Sequence, residues 1–213
     1  MPITLSANTV TFNDNTTRSS NKASVKAIFG FGYVSGVGAT SITNLVNVFG
    51  GVATDTSTAG TSRYYLAAAG YGGDKAIFGF GYYSFFNTIS LFSNTGVYVS
   101  ESSGSGTARY GLAAAGYGGD KAIFGFGYTG SNVNTISRFS NTGAYVDEPT
   151  TAGTARYYLA AASYGGDKAI FGFGFVPSYV NTISLFSNTG AYVSESSGVG
   201  TARDSLAAAS FGP

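Results

Sequence analysis

Four arginines stand at matching places along this chain, Arg63, Arg109, Arg156 and Arg203, each just ahead of a Leu-Ala-Ala-Ala run. Three Asp-Lys pairs recur in step with them, at Asp74-Lys75, Asp120-Lys121 and Asp167-Lys168, as do three glutamates, Glu101, Glu148 and Glu195. A ring of guanidinium groups could hold an anion, and a ring of aspartates a metal ion. Two of the carboxylates could in principle work as an acid/base pair on a glycosidic bond. A group present once in every unit, however, usually serves the unit. The arginines are therefore expected to satisfy turn carbonyls or to pair with an aspartate of a neighbouring unit. The glutamates are expected to be solvated at a rim.

The residue inventory narrows the chemistry further. The sequence has no His, Cys or Trp. A Ser-His-Asp triad, a thiol nucleophile, a disulfide framework and a zinc site of the usual ligands are thus ruled out. The glycine-rich Gly70-Tyr71-Gly72-Gly73 lacks the Gly-Lys-Ser/Thr and the following helix of a phosphate loop. We expect no enzyme activity, no cofactor and no metal. With 10% charged residues and a formal net charge of +1, the chain offers no basic field for nucleic acid. No apolar run approaches a membrane span, and the N-terminus lacks a signal-peptide pattern.

These residues ride on a repeat. Lys-Ala-Ile-Phe-Gly-Phe-Gly-Tyr stands at 26–33, 75–82 and 121–128, and returns at 168–175 with Phe175 last; the lysines are 49, 46 and 47 residues apart. Such a period marks small units that cannot bury their apolar face alone. Each unit reads as four short strands. Strand b is the repeated phrase, and strand c runs as in Asn87–Phe92. An Asn94-Thr95-Gly96 turn leads to strand d at Val97–Ser100, and an arginine precedes strand a, as in Leu112–Ala115. Gly118-Gly119-Asp120 turns a into the next b. The alanine run is too short and too glycine-flanked for a helix.

The expected fold is all-β: a β-propeller of four blades of about 47 residues, with strand a innermost. Along Lys75–Tyr82 one face carries Ala76, Phe78, Phe80 and Tyr82 and the other Lys75, Ile77, Gly79 and Gly81. Rings of one sheet should fill the glycine gaps of the next. Residues 26–213 form this domain, and Leu206–Ala209 should close the ring as strand a of the first blade, beside Lys26–Tyr33. The alternative has five blades, with Thr17–Val25 as an extra a strand. Residues 1–25 form an N-terminal arm, with one or two strands over Ile3–Phe12 and a turn-rich Asn13–Thr17.

The strands are near copies; the b–c loops are not. They read Val34–Thr40, Tyr83–Phe86, Thr129–Val133 and Val176–Val180, and should emerge on one face. A rigid scaffold presenting varied Tyr-, Phe-, Ser-, Gly- and Asn-rich loops suits recognition. Tyr83, Phe85, Phe86, Asn132 and Tyr179 are the candidate binding residues, because aromatic faces stack on sugars and anchor protein interfaces.

The stretch Ile3-Thr4-Leu5-Ser6-Ala7-Asn8-Thr9-Val10-Thr11-Phe12-Asn13-Asp14-Asn15-Thr16-Thr17 resembles a short N-terminal signature of bacteriophage tail-fibre and other virion proteins. The repeats over 26–213 resemble kelch-type propeller units, and more closely the arrays of marine phage proteins built on Thr-Ala-Arg-Tyr-Gly-Leu-Ala-Ala-Ala-Gly-Tyr-Gly-Gly-Asp-Lys. The resemblance implies a virion-associated protein anchored to other virion proteins through its arm and binding a host surface glycan or receptor. A homo-oligomer is also implied, since fibre proteins are often trimers. A purely structural virion role and a lectin-like module are the alternatives. Some kelch-type propellers are copper oxidases, but their histidine ligands and cysteine-linked tyrosine have no counterpart here.

Overall fold

The computed structural model describes residues 4–6, 9–11, 17–19, 25–47, 49–56, 59–149, 153–198 and 200–211, and among these it is all-β, with no helix. Near the N-terminus β1 (Thr4–Ser6), β2 (Thr9–Thr11) and β3 (Thr17–Ser19) form an antiparallel three-stranded sheet. Thr17–Ser19 therefore pairs with β2 and does not serve as an extra a strand. Most of the turn expected at Asn13–Thr17 lies outside the described residues.

The first unit holds β4 (Val25–Gly30) paired with β7 (Thr43–Asn47), and its b–c loop is a small hairpin of β5 (Tyr33–Val34) and β6 (Gly38–Ala39). Two bridges, Thr43 with Thr56 and Val46 with Val52, stand where strand d would run. The second unit is a four-stranded sheet of β8 (Ala67–Tyr71), β9 (Lys75–Gly79), β10 (Ile89–Phe92) and β11 (Tyr98–Ser102). The third repeats it with β12 (Ala113–Tyr117), β13 (Lys121–Gly125), β14 (Ile136–Phe139) and β15 (Tyr145–Asp147). The fourth has β16 (Ala160–Tyr164) and β17 (Lys168–Gly172). A loop hairpin of β18 (Phe175–Val176) and β19 (Ser178–Tyr179) follows, and then β20 (Ile183–Phe186) and β21 (Tyr192–Ser196).

The sheets stack through the glycine gaps. A Cβ placed on Gly79 would lie 3.0 Å from the Phe124 ring, one on Gly125 2.9 Å from Phe171, and one on Gly30 3.5 Å from Phe78. Phe78, Phe124 and Phe171 are all buried. The sheets approach most closely along their a strands, β8 on β12 and β12 on β16. Alanine is what makes that approach possible.

Among the described residues the ring does not close. There Leu206–Ala209 makes no ladder with β4, which pairs with β7. The segment instead lies on unit four: the Gly174 N–H donates to the Arg203 carbonyl (2.9 Å), the Ser205 N–H to the Tyr158 carbonyl (2.8 Å), and the Ser210 hydroxyl to the Ser163 carbonyl (2.8 Å). Strand patterning reports which faces pack. It does not report the rotation from one sheet to the next, on which closure depends.

Candidate functional site

Directly after each strand b, which stops at Gly30, Gly79, Gly125 and Gly172, stands a phenylalanine in the left-handed region, Phe31, Phe80, Phe126 and Phe173, with φ of 63–64°. That conformation is strained for a bulky residue, so the surroundings must hold it. They do so with the arginine of the next unit. The guanidinium carbons of Arg63, Arg109, Arg156 and Arg203 lie 4.4, 4.2, 4.2 and 4.0 Å from the ring centroids of Phe31, Phe80, Phe126 and Phe173. Backbone bonds repeat the link: the N–H groups of Gly32, Gly81, Gly127 and Gly174 donate to those same four arginine carbonyls at 2.9–3.0 Å.

Arg63, Arg109 and Arg156 are fully buried. Arg109 donates from Nε to the Phe126 carbonyl (2.8 Å), and from its two terminal nitrogens to Glu148 (2.7 Å), Ser137 Oγ (2.9 Å) and the Thr107 carbonyl (3.0 Å). Arg63 and Arg156 reach Glu101 and Glu195 in the same way, each at 3.3 Å. The arginines thus pair with glutamates of their own unit. The aspartates do other work at the opposite end, where Asp74 and Asp120 accept from Asn94 and Asn141 of the c–d turns (2.8 and 3.0 Å) and Asp167 lies 3.4 Å from Lys168.

The glutamates are mostly covered rather than solvated at a rim, with side chains only 14–19% exposed. Burial alone would push Glu101 and Glu195 up. Bonds from Thr61 and Ser90 to the first and from Thr154 and Ser184 to the second, with the arginine charge, hold both below the usual carboxylate range. Burial brings Arg109 and Arg156 down to about 10, which leaves both charged at neutral pH. Among the described residues, no group of three or more His, Cys, Asp or Glu side chains is placed to hold a metal ion.

Directly beyond these arginines the chain displays aromatic rings. Tyr33, Tyr64, Tyr82, Tyr110, Tyr128, Tyr157, Phe175 and Tyr179 follow one another with centroids 4.8–5.7 Å apart, an unbroken arc across all four units. Tyr65 and Tyr158, both at positive φ, meet across Gly111 with centroids 5.6 Å apart. Burial, then neighbouring phenols, pushes Tyr158 up to about 12, and Tyr64 and Tyr110 also rise. The arc presents a surface of ring faces and hydroxyl groups.

The candidate binding residues sit around this arc. Phe85 meets Tyr82 edge-on and Tyr110 at a tilt, with centroids 5.8 and 5.6 Å apart. Tyr83 (70% exposed) and the half-buried Phe86 line a cleft with Val37 and Ala39 of the first loop and Thr61 and Ser62. Asn132 bridges to Tyr128 in the third unit, and Tyr179 (58% exposed) ends the arc in the fourth. Tyr83 and Phe86 are brought together; Asn132 and Tyr179 join them only through intervening rings. Sequence reasoning missed the arc itself. Its signal was the tyrosine after each of three arginines, at 64, 110 and 157. No family model matches this chain, and no curated protein matches it.

Proposed function

We propose that this chain is a non-enzymatic recognition module, a tail-fibre or attachment component of a phage-type virion, which binds a host surface glycan or protein through its b–c end. The observation that carries the reading is the aromatic arc, continuous over four units and bordered by the exposed Tyr83, Phe85 and Tyr179. Ring faces with hydroxyl rims suit the apolar faces and hydroxyls of a sugar, and they anchor protein interfaces equally well. The varied loops would set which ligand fits, while the buried arginines keep the platform rigid. The virion setting, with residues 1–25 as the anchor to other virion proteins, rests on sequence resemblance. In this reading the units are blades of a propeller, and the first blade takes its missing a strand from a Leu206–Ala209 segment.

The test is binding of the purified chain to host envelopes and to immobilised glycans. Tyr83→Ala/Phe85→Ala/Tyr179→Ala should weaken binding at least tenfold, about 1.4 kcal/mol, with an unchanged unfolding midpoint. Equal binding by the variant would refute the site.

A further inference from the structure

The two ends of the array are unfinished in complementary ways. At the first unit, Phe29 is 66% exposed, whereas its equivalents Phe78, Phe124 and Phe171 are buried. At the fourth unit the matching gap is open: a Cβ on Gly172 would meet Ile183 and no phenylalanine ring, unlike Gly79 and Gly125. Among the described residues no a strand pairs with the other edge of β4. The segment Ala207–Phe211 lies on unit four but pairs with no strand among the described residues; its Ala-Ala-Ala-Ser-Phe differs from the a strand Ala160–Tyr164 only in Phe for Tyr, and Phe211 is 98% exposed where the equivalent Tyr71 and Tyr117 are 4%.

The charges match as well. By register, Asn44 and Asp55 of the first unit stand where Ser90 and Glu101 stand in the second. There Asn44 Nδ2 donates to Asp55 (2.5 Å), as the Ser90 hydroxyl donates to Glu101 (2.9 Å). Among the described residues no arginine reaches this pair, whereas Arg63 reaches Ser90 and Glu101. Arg203 already lies over Phe173 as its homologues lie over their rings, yet among the described residues its guanidinium bonds only the Thr201 carbonyl and meets no carboxylate.

We propose that the C-terminal end of one chain docks on the first unit of a second copy. Residues 207–211 would add to β4 in the register Ala207 to Gly30, Ala208 to Phe29 and Ala209 to Ile28, as Ala67–Ala69 do with Gly79–Ile77. Arg203 would pair with Asp55 of the second copy, and Phe29 of that copy would fill the gap at Gly172. A second copy is favoured over the chain's own β4 by the junctions. The same arginine-on-phenylalanine and glycine–carbonyl links repeat at every unit boundary and hold Arg203 at that spacing from unit four. That spacing leaves the chain's own β4 unpaired with 207–211, so self-closure needs a change at each boundary. A second copy simply continues the stack. Such a head-to-tail contact is heterologous and builds a closed ring of chains or a filament.

Sedimentation of the full chain over a concentration series tests this. The wild type should show masses that are multiples of one chain and rise with concentration. Arg203→Glu and Asp55→Lys should each weaken self-association at least tenfold, and Arg203→Glu/Asp55→Lys in one chain should restore it. An equimolar mixture of the two single variants should also restore it, since both junctions of an alternating stack then pair opposite charges, whereas each variant alone sets like charges together. A monomer at all concentrations would overturn the proposal. If the charge swap then changes only the unfolding midpoint, the segment has closed on its own β4.

Discussion

Replacing Gly79 by alanine tests the packing on which the stack depends. Gly79 pairs with Ala67 and Ile89 in the middle of the second sheet and has an ordinary extended backbone, so alanine adds no strain of its own there. The added Cβ would lie 3.0 and 3.2 Å from Cε1 and Cζ of Phe124 and would overlap the Ile89 side chain. Phe124 is held by Phe80 and Phe139 at 5.5 and 5.4 Å and has nowhere to retreat. Overpacking of this kind costs roughly 1–3 kcal/mol. Gly70→Ala is the matched control: it too is a strand glycine without positive φ, but its nearest contact is the Lys75 carbonyl at 3.8 Å. There the gain of about 0.5–1 kcal/mol from stiffening the unfolded chain should show unopposed. At roughly 2–4 °C per kcal/mol for a chain of this size, Gly79→Ala should melt below Gly70→Ala by several degrees in scanning calorimetry. Phe124→Leu should recover part of that loss in the Gly79→Ala background. Equal midpoints for the two alanine variants would refute the interlocking of rings and gaps.

The charge network gives two further expectations. Arg109→Met leaves Glu148 covered and unpaired and should cost about 3–5 kcal/mol in guanidinium unfolding, with Glu148→Gln costing less and the double variant less than the sum. Because Glu101 and Glu195 sit below their unfolded values, their contribution to stability is present above the ordinary carboxylate range of about 4.3. It is lost as pH falls through the lower folded values, so the denaturation midpoint should drop in acid, and less so in Glu101→Gln/Glu195→Gln.

Much of this architecture could be read from the chain. The strand order, the turns at Asn-Thr-Gly and Gly-Gly-Asp, and the ring-into-gap stacking all follow from period-two alternation within a repeat. The charge partners could not be read in the same way. Asp74 and Arg63 are close in sequence, but the register of β10 on β11 sets Ser90 opposite Glu101, and that carboxylate reaches Arg63. The left-handed phenylalanines were hidden for a related reason. Phe80 reads as one more residue of an alternating strand, yet the strand stops at Gly79 and φ turns positive to set the ring beneath Arg109.

That hidden layer explains why the b–c loops can vary while the strands cannot. In each unit the last fixed point before the loop is the phenylalanine gripped by the next arginine, and the residue after that arginine is an arc tyrosine in units two to four. The Tyr64 and Tyr82 backbones exchange hydrogen bonds at 3.0 and 2.6 Å, and Tyr110 and Tyr128 do the same at 3.2 and 2.9 Å. Apart from Tyr179, which belongs to the fourth b–c loop, the arc is therefore built from residues at the strand ends, tied to one another by backbone bonds. Loop sequence is free to change without moving the platform, provided the arginine beneath stays charged and paired. Arg203 is the exception that fits the rule: its following residue is Asp204 rather than tyrosine, it meets no carboxylate among the described residues, and the arc ends one unit before it.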